Sequence, residues 1–267
     1  MRDMLGYQKK RVVITGAASG MGQAAARTLV HLGAEVYALD VKEVAVPVKQ
    51  FIKTDLKDKD SVIAAAKQIP EDLYGLFNCA GLPGPPFSNV DTTLVNFVGH
   101  RLLTETLLPK IQAGGAIASI TSTAGLSWKK RLQSINELLA TRGFDEARAW
   151  LEANPRINDG YIFSKECIIV YTMARTDEMG KKNIRINCLS PAPTDTPMMK
   201  EFHRAWGKEL IDLYRAPCGR YATPEEMAEP LIFLNSNMAR FISGHNLLVD
   251  FGYQAAVDIG QKPSLLG

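Results

Sequence analysis

The octapeptide Thr15-Gly-Ala-Ala-Ser-Gly-Met-Gly22 directly follows the apolar run Val12-Val13-Ile14 and opens onto residues 23–32, which carry a helical pattern. A buried strand, a glycine-rich turn and a helix start make the geometry in which a backbone closes on a phosphate. Gly16 permits the tight turn. Gly20 and Gly22 remove the side chains that would block a pyrophosphate and the helix–strand contact. The unpaired N–H groups and positive dipole end of the helix then face the anion. Glycines this close also occur in ordinary turns and caps, so the reading depends on its surroundings. Asp40, at the end of the next apolar run, strengthens it. A carboxylate there accepts hydrogen bonds from an adenosine ribose and repels a 2′-phosphate. Ser19 precedes Gly20 and Val41 follows Asp40, which leaves Lys42 as the nearby cation. The pattern predicts NAD rather than NADP.

Short apolar runs alternate with helical patterns along the rest of the chain, the signature of a parallel sheet covered on both faces. Strands are expected at 11–15, 35–40, 50–53, 75–79, 116–121, 184–189 and 246–249. Long helices are expected at about 92–112 and 161–178. The fold class is α/β: a single Rossmann-type, doubly wound parallel sheet of about seven strands, with 1–267 forming one domain. One segment breaks the rhythm. In 126–159, Leu132, Ile135, Leu138 and Leu139 share one helical face, and so do Phe144, Ala147, Trp150 and Leu151. Gly143 separates the two patterns and Asn154-Pro155 ends the second, which predicts a helical hairpin inserted in a βα connection.

The net charge of +3 is small and no Lys/Arg run exceeds Lys129-Lys130-Arg131, which argues against nucleic-acid or membrane partners. Cys79, Cys167, Cys188 and Cys218 lack C-x-x-C spacing and read as reduced thiols of a cytoplasmic protein. His31, His100, His203 and His245 are too dispersed for a metal site, so no metal is expected.

Tyr161-Ile-Phe-Ser-Lys165 places a phenol and an ammonium on one helix face. A tyrosine acting as a base near neutral pH needs its pKa lowered by about three units, or ~4 kcal/mol. A cation about 4 Å away at an effective dielectric near ~20 supplies roughly that much. The pair alone is common on solvated helices, and its neighbours give it weight. Ser122 ends a strand at its carboxyl end, where open α/β sheets bind ligands, and a hydroxyl there can donate to a substrate oxygen. Asn78-Cys-Ala-Gly81 ends another strand, and Asn96 sits inside a helix where Asn is a poor helix former.

Taken in order, Thr15-Gly16-x3-Gly20-x-Gly22, Asp40, Asp55-Leu56, Asn78-Cys-Ala-Gly81, Asn96, Ser122, Tyr161-x3-Lys165 and Asn187-Cys-Leu-Ser-Pro191 resemble the short-chain dehydrogenase/reductase family over almost the whole chain. The resemblance implies a catalytic tetrad of Asn96, Ser122, Tyr161 and Lys165. It implies cofactor contacts from Gly16, Ser19, Gly20, Met21, Gly22, Asp40, Asp55, Leu56, Asn78, Ala80, Gly81, Tyr161, Lys165, Pro191, Thr194 and Thr196. In that scheme Ser122 orients the alcohol oxygen, Tyr161 exchanges its proton, Lys165 lowers the Tyr161 pKa, and Asn96 holds a water linking Lys165 to solvent.

Two departures stand out. Ala192 replaces the glycine of the usual Pro-Gly pair, and the segment between Ser122 and Tyr161 is longer than in most members. The insert, with Trp128, Arg131-Leu-Gln133, Ala149-Trp-Leu-x-Ala-Asn-Pro155 and Phe202, resembles the subgroup of coniferyl-alcohol dehydrogenases and 3α-hydroxysteroid dehydrogenase/carbonyl reductases. Expected pocket walls are Leu82, Phe87, Trp128, Met198, Met199, Phe202 and Trp206. They suit a bulky, apolar alcohol or carbonyl: an aryl-allylic alcohol, a hydroxysteroid or a cyclic terpenoid. The alternatives are a catalytically silent NAD(H)-binding regulator and a reductase of carrier-linked 3-oxoacyl groups. The family's common assembly helices imply a homo-oligomer, dimer or tetramer, and the insert either caps the pocket or alters that assembly.

Overall fold

The computed structural model describes residues 3–263. Its chain order is β1 (Arg11–Thr15), α1 (Gly20–His31), β2 (Glu35–Asp40), β3 (Gln50–Lys53), α2 (Lys59–Gln68), β4 (Leu73–Asn78) and α3 (Asn89–Thr93). A π-helical turn (Leu94–Val98), α4 (Gly99–Leu107) and β5 (Ile111–Ile120) follow. Then come α5 (Leu132–Leu139), α6 (Gly143–Ala153), α7 (Tyr161–Ala174), α8 (Thr176–Lys181), β6 (Arg185–Pro191), α9 (Pro197–Trp206) and α10 (Lys208–Asp212). The order closes with α11 (Pro224–Asn235), β7 (Asn246–Val249) and α12 (Tyr253–Asp258).

The seven strands form one sheet in the order β3-β2-β1-β4-β5-β6-β7, and every pairing is parallel. Strand side chains alternate between two cores. Val13, Leu39, Leu76 and Ile117 enter one, and Val12, Ile14, Ala38 and Ala118 enter the other. Burial on both faces is why these strands read as continuous apolar runs. The chain reverses its winding between β1 and β4, and a crevice opens there at the carboxyl ends of the strands.

Strands β4, β5 and β6 begin or end one to five residues from their expected bounds, and three helix boundaries differ from the sequence expectation. The helix expected at 92–112 starts at Asn89, changes to a π turn around Asn96, and stops before Ile111, which already pairs with Leu73. The helix expected at 161–178 breaks at Arg175 into α7 and α8. Gly143 is the first residue of α6 rather than the separator.

The inserted hairpin is present as α5 and α6, preceded by a 3-10 stretch, Thr123–Arg131. Its apolar residues Ile135, Leu138, Phe144, Ala147 and Leu151 join the same core as Phe97 and Phe163. The Arg101 guanidinium on α4 donates to the carbonyls of Leu138 and Thr141, which satisfies the carboxyl end of α5. The hairpin therefore rests on α4 and α7. Trp150 stacks on Phe163, with centroids 5.8 Å apart and 16° between planes.

Candidate active site

Two adjoining cavities occupy the crevice. The first, a groove of about 430 Å³, is walled by the glycine turn, Asp40, Asp55, Leu56, Ala80, Gly81 and the start of α9. Gly16 has φ +71°, and a Cβ on it would lie 2.7 Å from the Ala80 backbone. A Cβ on Gly22 would lie 2.2 Å from the Gly16 carbonyl oxygen. Only glycine fits either position. The Asp40 carboxylate is fixed across the turn, accepting the Ala18 N–H at 3.0 Å and the Lys42 N–H at 3.0 Å. Carboxylate lone pairs remain for two further hydroxyls. A backbone cradle at a helix N-terminus beside a fixed carboxylate fits a dinucleotide with a free ribose diol.

The second cavity, about 290 Å³, shares Met21, Cys79, Gly81, Thr196 and Met198 with the groove. Ser122, Tyr161 and Lys165 line it. Parallel pairing and helix packing bring them together: Ser122 follows β5, while Tyr161 and Lys165 stand on the first turns of α7. The Thr121 hydroxyl donates to the Lys165 carbonyl at 2.8 Å and locks strand end to helix. Ser122 and Tyr161 stand on the same cavity wall, and the Ser122 hydroxyl accepts the Ala124 N–H at 3.2 Å. The Lys165 ammonium donates to the Ile120 carbonyl at 3.1 Å and lies 5.5 Å from the centroid of the Tyr161 ring.

Burial dominates the electrostatics of both groups. It pushes Tyr161 up to about 12, the neighbouring Ser122 hydroxyl pulling it back in part. Burial also brings Lys165 down to about 8. Desolvation of the charged form is the largest cause for each group. Tyr161 is thus a neutral acid near neutral pH, and its use as a base is favoured as pH rises. Alcohol oxidation should accordingly gain in kcat/KM from about pH 6 to about pH 8, the range in which Lys165 keeps its charge, with carbonyl reduction favoured at the lower end. A flat oxidation profile over that range would remove Tyr161 from the proton-transfer role.

Asn96 is fully buried at the centre of the π turn. Its Oδ1 accepts the Leu82 N–H at 2.7 Å, and its Nδ2 donates to the Leu82 carbonyl and to Ser164 Oγ, each at 3.1 Å. Ala192 continues the β6 ladder, donating its N–H to the Val249 carbonyl at 2.9 Å. Its backbone stays out of the left-handed region, so alanine carries no strain there. Thr194 and Thr196 line the second cavity.

Several expected site residues sit elsewhere. Asn78 does not line the groove; its amide donates to Thr104 Oγ1 and Ser119 Oγ, because β4 turns it into the sheet interior. Leu82 and Phe87 border the dinucleotide groove rather than the apolar cavity. Trp128 lies in the 3-10 stretch and packs against the core below the hairpin. Within residues 126–159, none lines the apolar cavity, so the insert does not cap it.

Met198, Met199, Phe202 and Trp206 do line it, and Phe202 meets the Tyr161 ring edge-on at 5.1 Å. The sequence reading missed Leu210, Ile211 and Tyr214 of the next segment. A signal was available: Phe202, Trp206, Leu210 and Tyr214 recur every fourth position, although Gly207, at φ +82°, breaks the helix between α9 and α10.

Among the described residues, no group of His, Cys, Asp and Glu is placed to hold a metal, and no helix is long and apolar enough to cross a membrane. A family described as short chain dehydrogenase matches residues 10–133, and one described as enoyl-(acyl carrier protein) reductase matches residues 149–254. The chain is 35% identical to a coniferyl-alcohol dehydrogenase from Pseudomonas sp., covering 91% of this chain and 96% of the relative. It is 26% identical to a 3-alpha-hydroxysteroid dehydrogenase/carbonyl reductase from Comamonas testosteroni, covering 92% and 97%. The crystal structure of a 3-alpha-hydroxysteroid dehydrogenase from Pseudomonas sp., complexed with NADH, superposes with a TM-score of 0.80 at 25% identity, covering 96% of this chain and all of that one.

Proposed function

The chain belongs to the short-chain dehydrogenase family, and from that membership we propose that it is an NAD-dependent oxidoreductase interconverting a bulky, weakly polar alcohol and its carbonyl. An aryl-allylic alcohol of the coniferyl type is the foremost substrate class, with hydroxysteroids and cyclic terpenoid alcohols next. The observation that carries this reading is the apolar cavity opening onto Ser122 and Tyr161. Among the described residues lining that cavity, Lys165 is the one with an ionisable basic side chain, and aromatic and aliphatic side chains make most of the wall. An anionic handle would compete for the same Lys165 ammonium that the reaction uses, and the rest of the wall offers it no cation. The carrier-linked alternative would need a basic docking face near the pocket, and in the Lys129-Lys130-Arg131 run Arg131 is turned onto Glu166 and Asp159. NAD rather than NADP is supported by the fixed Asp40 carboxylate facing the ribose end of the groove.

A bound nicotinamide supplies the hydride acceptor for oxidation and the donor for reduction. Ser122 orients the reacting oxygen, and Tyr161, on the same cavity wall, takes or returns the proton. Lys165 supports the phenolate with its charge and is itself served through Asn96. A homo-oligomer built on α4 and α7 would meet its partner through the hairpin that covers them.

The test is NADH formation across aryl-allylic, steroid, terpenoid and small aliphatic alcohols, with NADP in parallel. Turnover of a bulky class with NAD is the expected result. If small aliphatic alcohols win in kcat/KM, the apolar-cavity reading is wrong, and a preference for NADP would overturn the role given to Asp40.

A further inference from the structure

His100 touches both halves of the site, although in the sequence it counts only as one of four dispersed histidines. It is 6% exposed and stands on α4 just after the π turn. Its Nε2 lies 2.9 Å from Thr15 Oγ1, and its Nδ1 lies 3.1 Å from the Asn96 carbonyl oxygen. Thr15 ends β1, the strand that feeds the glycine turn.

Counting donors fixes the state of the ring. The Thr15 hydroxyl oxygen already accepts the N–H groups of Cys79 at 2.9 Å and Ala80 at 3.1 Å. Both of its lone pairs are thereby used, and its single hydrogen is left for Nε2. Nε2 is therefore the bare nitrogen. Nδ1 carries the proton and donates it to the Asn96 carbonyl. An imidazolium would set a second N–H against a hydroxyl with no lone pair left, and would add a cation in the field of Lys165. Burial acts in the same direction, bringing His100 down to about 4.

A continuous chain of bonds results: β1 end, His100, Asn96, then Leu82 and Ser164 on either side. It joins the dinucleotide half of the crevice to the helix bearing Tyr161 and Lys165. We infer that His100 is a positioning residue for the reaction. Its neutral, Nδ1-protonated ring holds the Asn96 carbonyl in place and ties it to the strand carrying the glycine turn. The inference rests on the reading of Asn96 and Lys165 as members of one proton relay.

Three substitutions separate the two ring nitrogens. In His100→Asn the amide nitrogen stands where Nδ1 stood, in His100→Gln the amide reaches the Nε2 position, and His100→Leu replaces neither. For each, kcat and alcohol KM are measured across pH, NADH affinity by fluorescence titration, and Tm by thermal unfolding. His100→Asn should keep kcat within about threefold of wild type, with an unmoved pH limb. His100→Gln and His100→Leu should lose about tenfold in kcat and shift that limb, with NADH affinity and alcohol KM within about twofold. The proposal is overturned if His100→Gln behaves like His100→Asn, or if all three keep the wild-type kcat and pH limb. It is equally overturned if kcat falls only in step with Tm while the limb stays put. Tyr161→Phe, assayed alongside, keeps the two failures apart. An active Tyr161→Phe sinks the relay itself, whereas an inert one beside an unresponsive His100 series sinks only the role of His100.

Discussion

Tyr161→Phe should abolish turnover of every alcohol while leaving NADH binding nearly intact. The substitution removes one oxygen and keeps the ring, so the edge-on contact with Phe202 and the contact with Trp206 at 6.1 Å survive. The fold and the apolar cavity therefore persist, and the loss is confined to the proton transfer. Positioned acid–base groups contribute typically about 10²–10⁴-fold in rate. The Ser122 hydroxyl, on the same cavity wall, cannot replace the phenol, because a serine proton is far less acidic. Steady-state turnover and a fluorescence titration with NADH, made on one preparation, check both halves. Retention of more than a few per cent of wild-type activity would remove Tyr161 from the acid–base role.

Arg131→Met should cost about 3 kcal/mol of stability, through Glu166 rather than through the surface. Arg131 Nε donates to Glu166 Oε2 at 2.7 Å, and the Glu166 side chain is 1% exposed. Burial raises the Glu166 pKa and the Arg131 guanidinium draws it back. Removing the guanidinium leaves a carboxyl group buried without its charge partner, next in sequence to Lys165. The second arm, to Asp159 at 2.7 Å, is largely in water and is worth little. Arg131 also donates to the Ile157 carbonyl at 3.0 Å and lies over the Phe163 ring at 5.3 Å, so it pins both ends of the insert to α7. For a chain of this size the loss corresponds to a fall in Tm of about 6–12 °C. Glu166→Gln, added to Arg131→Met, should recover most of it, because a neutral amide needs no counter-charge. Equal Tm values for the single and double variants would show that the buried carboxylate is not the source.

The two halves of the site were unequally legible. The glycine turn and the Tyr161–Lys165 pair are local patterns, and Asp40 joins the turn through the parallel pairing of the adjacent strands β1 and β2. Ser122 was legible for a related reason, since it directly follows an apolar strand. Asn78 was harder to place. Its position at a strand end left two directions open, and the register against β5 sends its amide to Ser119 instead of the groove. Trp128 adjoins the insert in sequence, yet the 3-10 path between β5 and α5 carries it to the core. The π turn at Asn96 was hinted at only by an Asn in a helix, as the pattern does not record which carbonyl a backbone N–H will choose.

Strand period, helix period and the phosphate cradle follow from contacts between residues close along the chain, and these the amino-acid sequence determined by itself: a doubly wound parallel sheet, a dinucleotide groove and a Tyr–Lys pair beside it. What only the tertiary structure decided depends on partners far apart in the chain. The hairpin lies on α4 and α7 because Arg101 and Arg131 find carbonyls and carboxylates more than two dozen positions away. His100 acquires a tautomer because Thr15, 85 positions earlier, has already spent its lone pairs on Cys79 and Ala80. Hydrogen-bond capacity is finite, and which groups use it up is settled only when the chain is folded.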